Sequence, residues 1–294
     1  MIETRKTRNI PQHVPACVER SITYGDITEY ERIGAGGNAD VHRAAFAADG
    51  EETSIAVKKP RIRGTLHTAA VERIMDEAET WEQLDGHTHI VTLVSYGSTP
   101  IPWLAMEYLD GGHLGERAPQ MDFPQSLWTA IAVTSAVRHA HRKGVAHLDL
   151  KPENVLFHSI DDAWDAPKVA DWGLSKHLLT HSNTVEGFSP TYAAPEQFDD
   201  SFGSTDDFTD IYQLGAVFYE LFTGRPPFDG EPAEVMKHVL DDTPEPPSSV
   251  AAVPTQVDDI VLTALRKEKA ERYDDILYLR DDLQAVYDGH FRRQ

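Results

Sequence analysis

His147-Leu148-Asp149-Leu150-Lys151-Pro152-Glu153-Asn154 decides how the rest of this 294-residue chain is read. The segment follows an apolar stretch with helical spacing, Ser126 to Lys143, which Gly144 terminates. It sets a carboxylate, an ammonium and a carboxamide at positions i, i+2 and i+5. An aspartate can accept a hydroxyl proton, a lysine can hold a phosphate, and an asparagine can ligate magnesium. Further on, Lys168-Val169-Ala170-Asp171-Trp172-Gly173 places a second carboxylate after a short strand-like run, beside a glycine turn. Hard oxygen ligands of this kind suit a magnesium ion that bridges phosphates. Ala194-Pro195-Glu196 comes last.

Working outward, Gly34-Ala35-Gly36-Gly37-Asn38-Ala39-Asp40-Val41 is a Gly-rich turn between strand-like runs at Ile27–Ile33 and Val41–Ala47. Absent side chains let backbone N–H groups approach phosphate oxygens, although taken alone a Gly-rich hairpin explains the stretch as well. No Gly-Lys-Ser/Thr follows, so it is not a P-loop. Ile55-Ala56-Val57-Lys58 ends the next strand, Ser54–Lys58, in a lysine. Such a lysine is ordinarily an edge residue reaching for water. An acidic partner on the following helix would give it another meaning. That helix is predicted over Thr68–Asp85 from Val71, Ile74, Met75, Ala78, Trp81 and Leu84, with Trp81 read as core. Glu77 is the chosen partner, and Glu72 and Glu79 are rivals that helix phase does not separate.

Ile90–Tyr96 and Trp103–Tyr108 read as strands, and Gly111-Gly112 breaks the pattern. Beyond it the chain is mainly helical. Asp210–Thr223 is closed by Gly224, Pro244–Pro254 is a Pro/Ser loop, and Val257–Arg266 and Asp275–Tyr287 are amphipathic helices. There is no internal repeat and no low-complexity segment. The class is α+β, a small β-rich part with one long helix followed by a larger α-rich part.

In this order and spacing the motifs resemble the eukaryotic-type (Hanks-type) serine/threonine protein kinases, over about residues 27–287. The resemblance implies a two-lobed kinase fold. Residues 1–22, interrupted by Pro11 and Pro15, are expected as a polar tail, and residues 23–294 as the kinase domain, with its small lobe about 23–108 and its large lobe about 109–290. It also implies ATP and Mg2+ as cofactors and serine or threonine hydroxyls of protein substrates as acceptors. Gly34, Gly36 and Gly37 would cover the phosphates, with Ala39 where a third glycine is usual. Val41, Ala56 and Leu156 would face the nucleotide, Met106 would be the gatekeeper, and Glu107 and Tyr108 the hinge. Lys58 would hold the α- and β-phosphates. Counting back from His87-Thr88-His89-Ile90-Val91, Glu77 falls at the glutamate that pairs with it. Asp149 would be the base, Lys151 the γ-phosphate contact, and Asn154 and Asp171 the magnesium ligands. Glu196 and Arg272 resemble a buried ion pair of the large lobe, and Asp210 the aspartate that braces the catalytic loop. Lys151, two after Asp149, resembles serine/threonine rather than tyrosine kinases, and Ser189 to Glu196 resembles the substrate-docking segment.

Besides Ala39, three further positions depart from the pattern. Leu148 replaces the arginine that typically pairs with an activation-segment phosphate; either activity does not need phosphorylation at Thr180, Ser182 or Thr184 through that route, or Leu148 marks weakened catalysis. Trp172 replaces phenylalanine and is expected to fill the same apolar position beside His147. Gln213 stands where serine is common, and the sequence gives it no role. Two other classes compete with an active protein kinase: a pseudokinase serving as a nucleotide-binding scaffold, and a small-molecule phosphotransferase of the aminoglycoside-kinase type. The first would ordinarily lack one of Lys58, Asp149, Asn154 and Asp171. The second generally lacks the Ala-Pro-Glu and Lys-Pro-Glu-Asn runs.

Composition sets the remaining bounds. Asp+Glu number 48 against 27 Lys+Arg, a formal net charge of −21. Asp outnumbers Glu 27 to 21 and Arg outnumbers Lys 17 to 10. A surface this acidic repels a nucleic-acid duplex. It also repels itself until salt near ~1 M shortens the Debye length to ~3 Å. It therefore looks like that of proteins from salt-loving organisms, particularly haloarchaea. Pairs such as Asp161-Asp162 and Asp281-Asp282 lack the spacing of a calcium loop. His139 and His141 lie two apart on a helix and point to different faces, a poor arrangement for a shared metal. His87 and His89 read as loop packing. No apolar run approaches the ~18 residues of a membrane span, and residues 1–20 show no secretory signal. Cys17 alone excludes an intramolecular disulfide. The expectation is a cytoplasmic protein, and the sequence does not settle its oligomeric state.

Overall fold

The computed structural model describes residues 9–15, 22–35, 39–48, 51–61, 68–173, 176–177 and 189–291. It divides into two compact units, Pro15–Asp110 and Met1–Val14 with Gly111–Gln294. These correspond to the small and large lobes of a protein kinase fold.

The smaller unit holds β1 (Ile27–Ala35), β2 (Ala39–Ala48), β3 (Glu51–Pro60), β4 (Leu93–Gly97) and β5 (Trp103–Glu107), an antiparallel sheet in the order β1-β2-β3-β5-β4. The period of two decides its core. Ala44 and Phe46, Ile55 and Val57, Trp103 and Ala105 alternate onto one face with Val94, and Ile22, Tyr24 and Ile27 pack against them. Helix α1 (Thr68–Glu82) buries Ile74, Ala78 and Trp81. The Trp81 indole N–H donates to the Val91 carbonyl at 2.6 Å. Strand β4 begins at Leu93 rather than Ile90, because the Thr92 N–H is taken by the Glu107 carboxylate at 2.7 Å.

The larger unit contains α2 (Leu114–Arg117), α3 (Phe123–Arg142), α4 (Pro195–Phe198), α5 (Asp207–Thr223), α6 (Pro232–Asp241), α7 (Pro247–Val250), α8 (Gln256–Ala264) and α9 (Ile276–Phe291). Short antiparallel pairs join β6 (Val145–Ala146) to β9 (Lys176–His177) and β7 (Val155–His158) to β8 (Ala166–Val169). Asp122 caps α3 by accepting from the Gln125 N–H at 2.9 Å. Asp206 caps α5, and Gly224 ends it with φ 79°, a left-handed turn that favours glycine. Helix α5 buries thirteen of its seventeen residues, the polar Thr209, Asp210 and Gln213 among them, so it lies in the core of this lobe. At Gly215 a Cβ would stand 2.9 Å from the Ala264 Cβ, so glycine is what lets α8 approach. Helix α6 was not anticipated from the pattern, although Pro232 in its first turn and buried Val235 and Val239, four apart, carry its signal. Helix α7 lies within the expected Pro/Ser loop.

Part of the stretch read as a tail is pinned. The Asn9 carbonyl accepts from Trp164 N–H at 2.9 Å, and Val14 packs on Trp128 and Trp164. Among the described residues no helix is long and apolar enough to cross a membrane.

Glu196 on α4 and Arg272, whose side chains are both fully buried, form a bidentate pair at 2.8 Å. Arg272 also donates to the carbonyls of Arg266, Lys267 and Phe208, and Thr209 Oγ1 donates to Glu196. Burial alone would raise the Glu196 carboxyl, but the hydrogen bonds and charge of Arg272 outweigh it and hold the group below its ordinary range. A depressed carboxyl stabilises the fold above its unfolded pKa, and that contribution is lost as pH falls through the folded value. Arg272→Met strands the carboxylate and is expected to cost about 3–5 kcal/mol in urea unfolding at neutral pH. The gap to the parent protein should narrow as pH falls, first as the stranded Glu196 of the variant takes up a proton and then as the parent's Glu196 does, below the ordinary carboxylate range.

Candidate active site

The segment around Asp149 is held from beneath by α5. The Asp210 side chain is fully buried, and its two oxygens accept from the backbone N–H groups of His147 and Leu148, each at 2.8 Å. His141 Nε2 lies 2.7 Å from the same carboxylate, which gives that histidine a partner other than His139. Leu148 is fully buried and adopts φ 66°, a conformation few side-chain-bearing residues take without support. The His147 ring bonds the Ala170 carbonyl at 3.0 Å, and the buried Trp172 ring lies 4.5 Å from it.

On that base Asp149 is a convergence point. Its Oδ2 accepts from Lys151 Nζ at 2.6 Å, and its Oδ1 from the Ser189 N–H at 3.2 Å. Asn154 Nδ2 donates to the Asp149 carbonyl at 2.8 Å, which leaves the Asn154 carbonyl oxygen for another partner. The Ala170 N–H donates to the Asn154 backbone carbonyl at 2.9 Å, so β7 and β8 bring Asp171 alongside Asn154. Asp171 is half-buried and also left-handed, with φ 62°. Among the described residues no group of three His, Cys, Asp or Glu could hold a metal alone. One carboxylate and one carboxamide suit an ion that keeps waters and binds phosphate oxygens, as magnesium does. Leu156, half-buried on β7, pairs with Lys168 and bridges to His113.

In the smaller lobe β3 presents Lys58 to α1, where its Nζ meets Glu77 Oε1 at 2.7 Å. Ala56 pairs with Met106 across β3 and β5, and Val41 pairs with both Gly34 and Lys58. Among the described residues, a Cβ on Gly34 would meet only Val41, at an ordinary 3.5 Å. Packing therefore does not demand glycine there, which leaves close approach of a ligand as a reason for it. Gly36 and Gly37 lie outside the described residues, as do Thr180, Ser182, Thr184 and Cys17. The Glu107 N–H is committed to the Thr92 carbonyl at 3.0 Å, so a base would be met by other backbone groups of the hinge. Tyr108 sits under the Arg43 guanidinium, 5.0 Å from ring centre.

A family model described as Protein kinase domain matches residues 27–276. The chain belongs to the protein kinase family. It is 33% identical over 281 residues to the serine/threonine-protein kinase Pkn1 of Myxococcus xanthus, covering 91% of this chain and 39% of that protein. It is 33% identical over 267 residues to PrkC of Bacillus subtilis, covering 87% and 40%. It is 31% identical over 275 residues to PknB of Mycobacterium tuberculosis, covering 88% and 42%. The chain thus spans about two fifths of the length of these curated relatives.

Sequence reasoning assigned no role to Gln213 or Gln197, yet both contact the backbone on either side of Asp149. Only tertiary structure brings them there; the one prior signal was an unexpected amide in the Asp210 helix. Asp210→Asn removes one of two acceptors under His147 and Leu148. The expected result is loss of amide hydrogen-exchange protection at those two residues and about 1–3 kcal/mol of stability, read by exchange mass spectrometry and urea unfolding.

Proposed function

We propose that this chain transfers the γ-phosphate of ATP to serine and threonine hydroxyls of protein substrates. The observation that carries the reading is the Asp149 carboxylate, held between Lys151 Nζ, Asn154 and the Ser189 N–H of the docking segment. Phosphoryl transfer needs alignment and charge neutralisation more than covalent chemistry. Asp149 orients the acceptor hydroxyl and takes its proton, and Lys151, already against it, turns to the transferred phosphoryl group. Lys58, kept in place by Glu77, holds the α- and β-phosphates. In this reading Val41, Ala56, Met106 and Leu156 would face the base, Glu107 and Tyr108 would meet its edge, and Gly34 would let the backbone approach the phosphates. Asn154 and Asp171 hold magnesium, which when bound neutralises the phosphate oxygens. Residues 23–294 form the catalytic domain.

Catalysis takes place where ATP and magnesium are, and we place it in the cytoplasm of a salt-loving organism. The charge of −21 supports the second half of that reading. Leu148 offers no cation for a phosphate, which supports activity without phosphorylation of Thr180, Ser182 or Thr184.

The test is labelled ATP, magnesium and a generic acceptor protein, from low to multimolar KCl. Asp149→Asn should lose about 10²–10⁴ of the transfer rate while still binding ATP, and phosphoserine or phosphothreonine should vanish with it. The rate should peak at high salt. Separate alanine variants at Thr180, Ser182 and Thr184 should each keep most activity. ATP binding without transfer at any salt would favour a nucleotide-binding scaffold.

A further inference from the structure

We infer that Gln213 and Gln197 form a neutral clamp that positions Asp149 for transfer and ties it to the docking segment. The inference rests on the reading of Asp149 as the base and adds positioning residues to it.

Gln213 is 1% exposed, and its amide engages both N–H donors and its carbonyl oxygen. Its Oε1 accepts from the Leu150 N–H at 2.9 Å, and its Nε2 donates to the Leu148 carbonyl at 3.0 Å and to Gln197 Oε1 at 2.9 Å. Gln197 Nε2 donates to the same Leu148 carbonyl at 3.0 Å, and its Oε1 also accepts from the Ala194 N–H at 3.0 Å. The residues before and after Asp149 are therefore both anchored. Leu148 is held at its N–H by Asp210 and at its carbonyl by the two amides, and Leu150 at its N–H by Gln213. This explains how Leu148 keeps φ 66°, a conformation that costs roughly 1–2 kcal/mol in a residue with a Cβ and persists where its surroundings over-determine it.

The chemistry is specific to a carboxamide. A hydroxyl brings one donor on a shorter stem and cannot join Leu148, Leu150 and Gln197 together. A carboxylate has no donor and would face two oxygens. The clamp ends at Ala194, in the segment whose Ser189 N–H already touches Asp149. The clamp thus adds to the Ser189–Asp149 contact a link between loop and docking segment that carries no charge. A buried neutral contact is unaffected by salt that screens ion pairs.

The test uses the full chain. Gln213→Met keeps the shape and removes the hydrogen bonds, Gln197→Met removes the second amide, and the double variant combines them. We expect Gln213→Met to lower kcat at least about tenfold, with KM for ATP within about twofold of the parent. The double variant should be no slower than Gln213→Met, because the two amides act as one unit. Gln213→Glu should be no faster than Gln213→Met. Unchanged kcat with a lowered urea midpoint, or fully additive losses, would overturn the clamp. If Gln213→Met does not fold, Gln213→Ser and Gln197→Met carry the same comparison. Asp149→Asn is assayed alongside. Transfer that survives it removes the base assignment itself, whereas transfer lost there but intact in Gln213→Met removes only the clamp.

Discussion

A single buried acid fixes the geometry of the larger lobe. The Asp210 side chain has no exposure to water, and an ionised carboxylate in that position is costly unless every lone pair finds a donor. The donors it finds are the backbone N–H groups of His147 and Leu148, with His141 beside them. Loop and helix therefore specify each other: unfolding the loop leaves the buried carboxylate without donors, and losing the Asp210 side chain leaves two amides unpaired. Gln213, one turn along α5, extends the same face to Leu150. From this base the order passes outward through His147 to the Ala170 carbonyl, and through the Asn154 carbonyl to the Ala170 N–H. Asp149 and Asp171 inherit their placement from those contacts.

What could be read in the sequence was what is local or periodic. Alternation located β1 to β3 and β5, and helical spacing with glycine stops located α1, α3, α5, α8 and α9. The spacing within Asp149-Leu150-Lys151 and Asn154 identified groups that do meet in space. Glu77 could not be told from its neighbours by helix phase, because Lys58 reaches it across nineteen positions of sequence, and only the packed sheet and helix bring Nζ to Oε1. The clamp was illegible for the same reason at greater range: Gln213 meets Leu148 sixty-five positions away. Helix α6 had a legible start and apolar spacing, and the bound set at Gly224 passed over it. Residues 9–14 looked like a tail because one carbonyl and one valine, the contacts that hold them, leave no periodic pattern.

The departures from the family pattern belong together physically. An arginine at 148 would bring a cation that must find an anion, but leucine at that position is fully buried. The oxygen that Leu148 presents is answered by two amides rather than by a charged group. Trp172 fills the apolar space against His147 with a large ring. In each case a neutral side chain sits where a charge or a smaller group is usual, and at Leu148 the buried carbonyl is satisfied by carboxamides.

Charge then poses a problem that this chain must solve locally. Its net charge is −21, and its proposed nucleotide is also an anion, so at long range the two repel. Salt shortens that range: the Debye length falls from about 8 Å at physiological ionic strength to about 3 Å at 1 M. Contacts of 2.6 to 2.7 Å, such as Lys151 to Asp149 and Lys58 to Glu77, lie inside either distance and are largely buried, so they are screened far less. High salt thus removes the repulsion that would keep a nucleotide away while leaving the lysines that would receive it. With only ten lysines in the chain, two stand at the proposed phosphate positions, each held by a carboxylate against drifting toward the acidic surface.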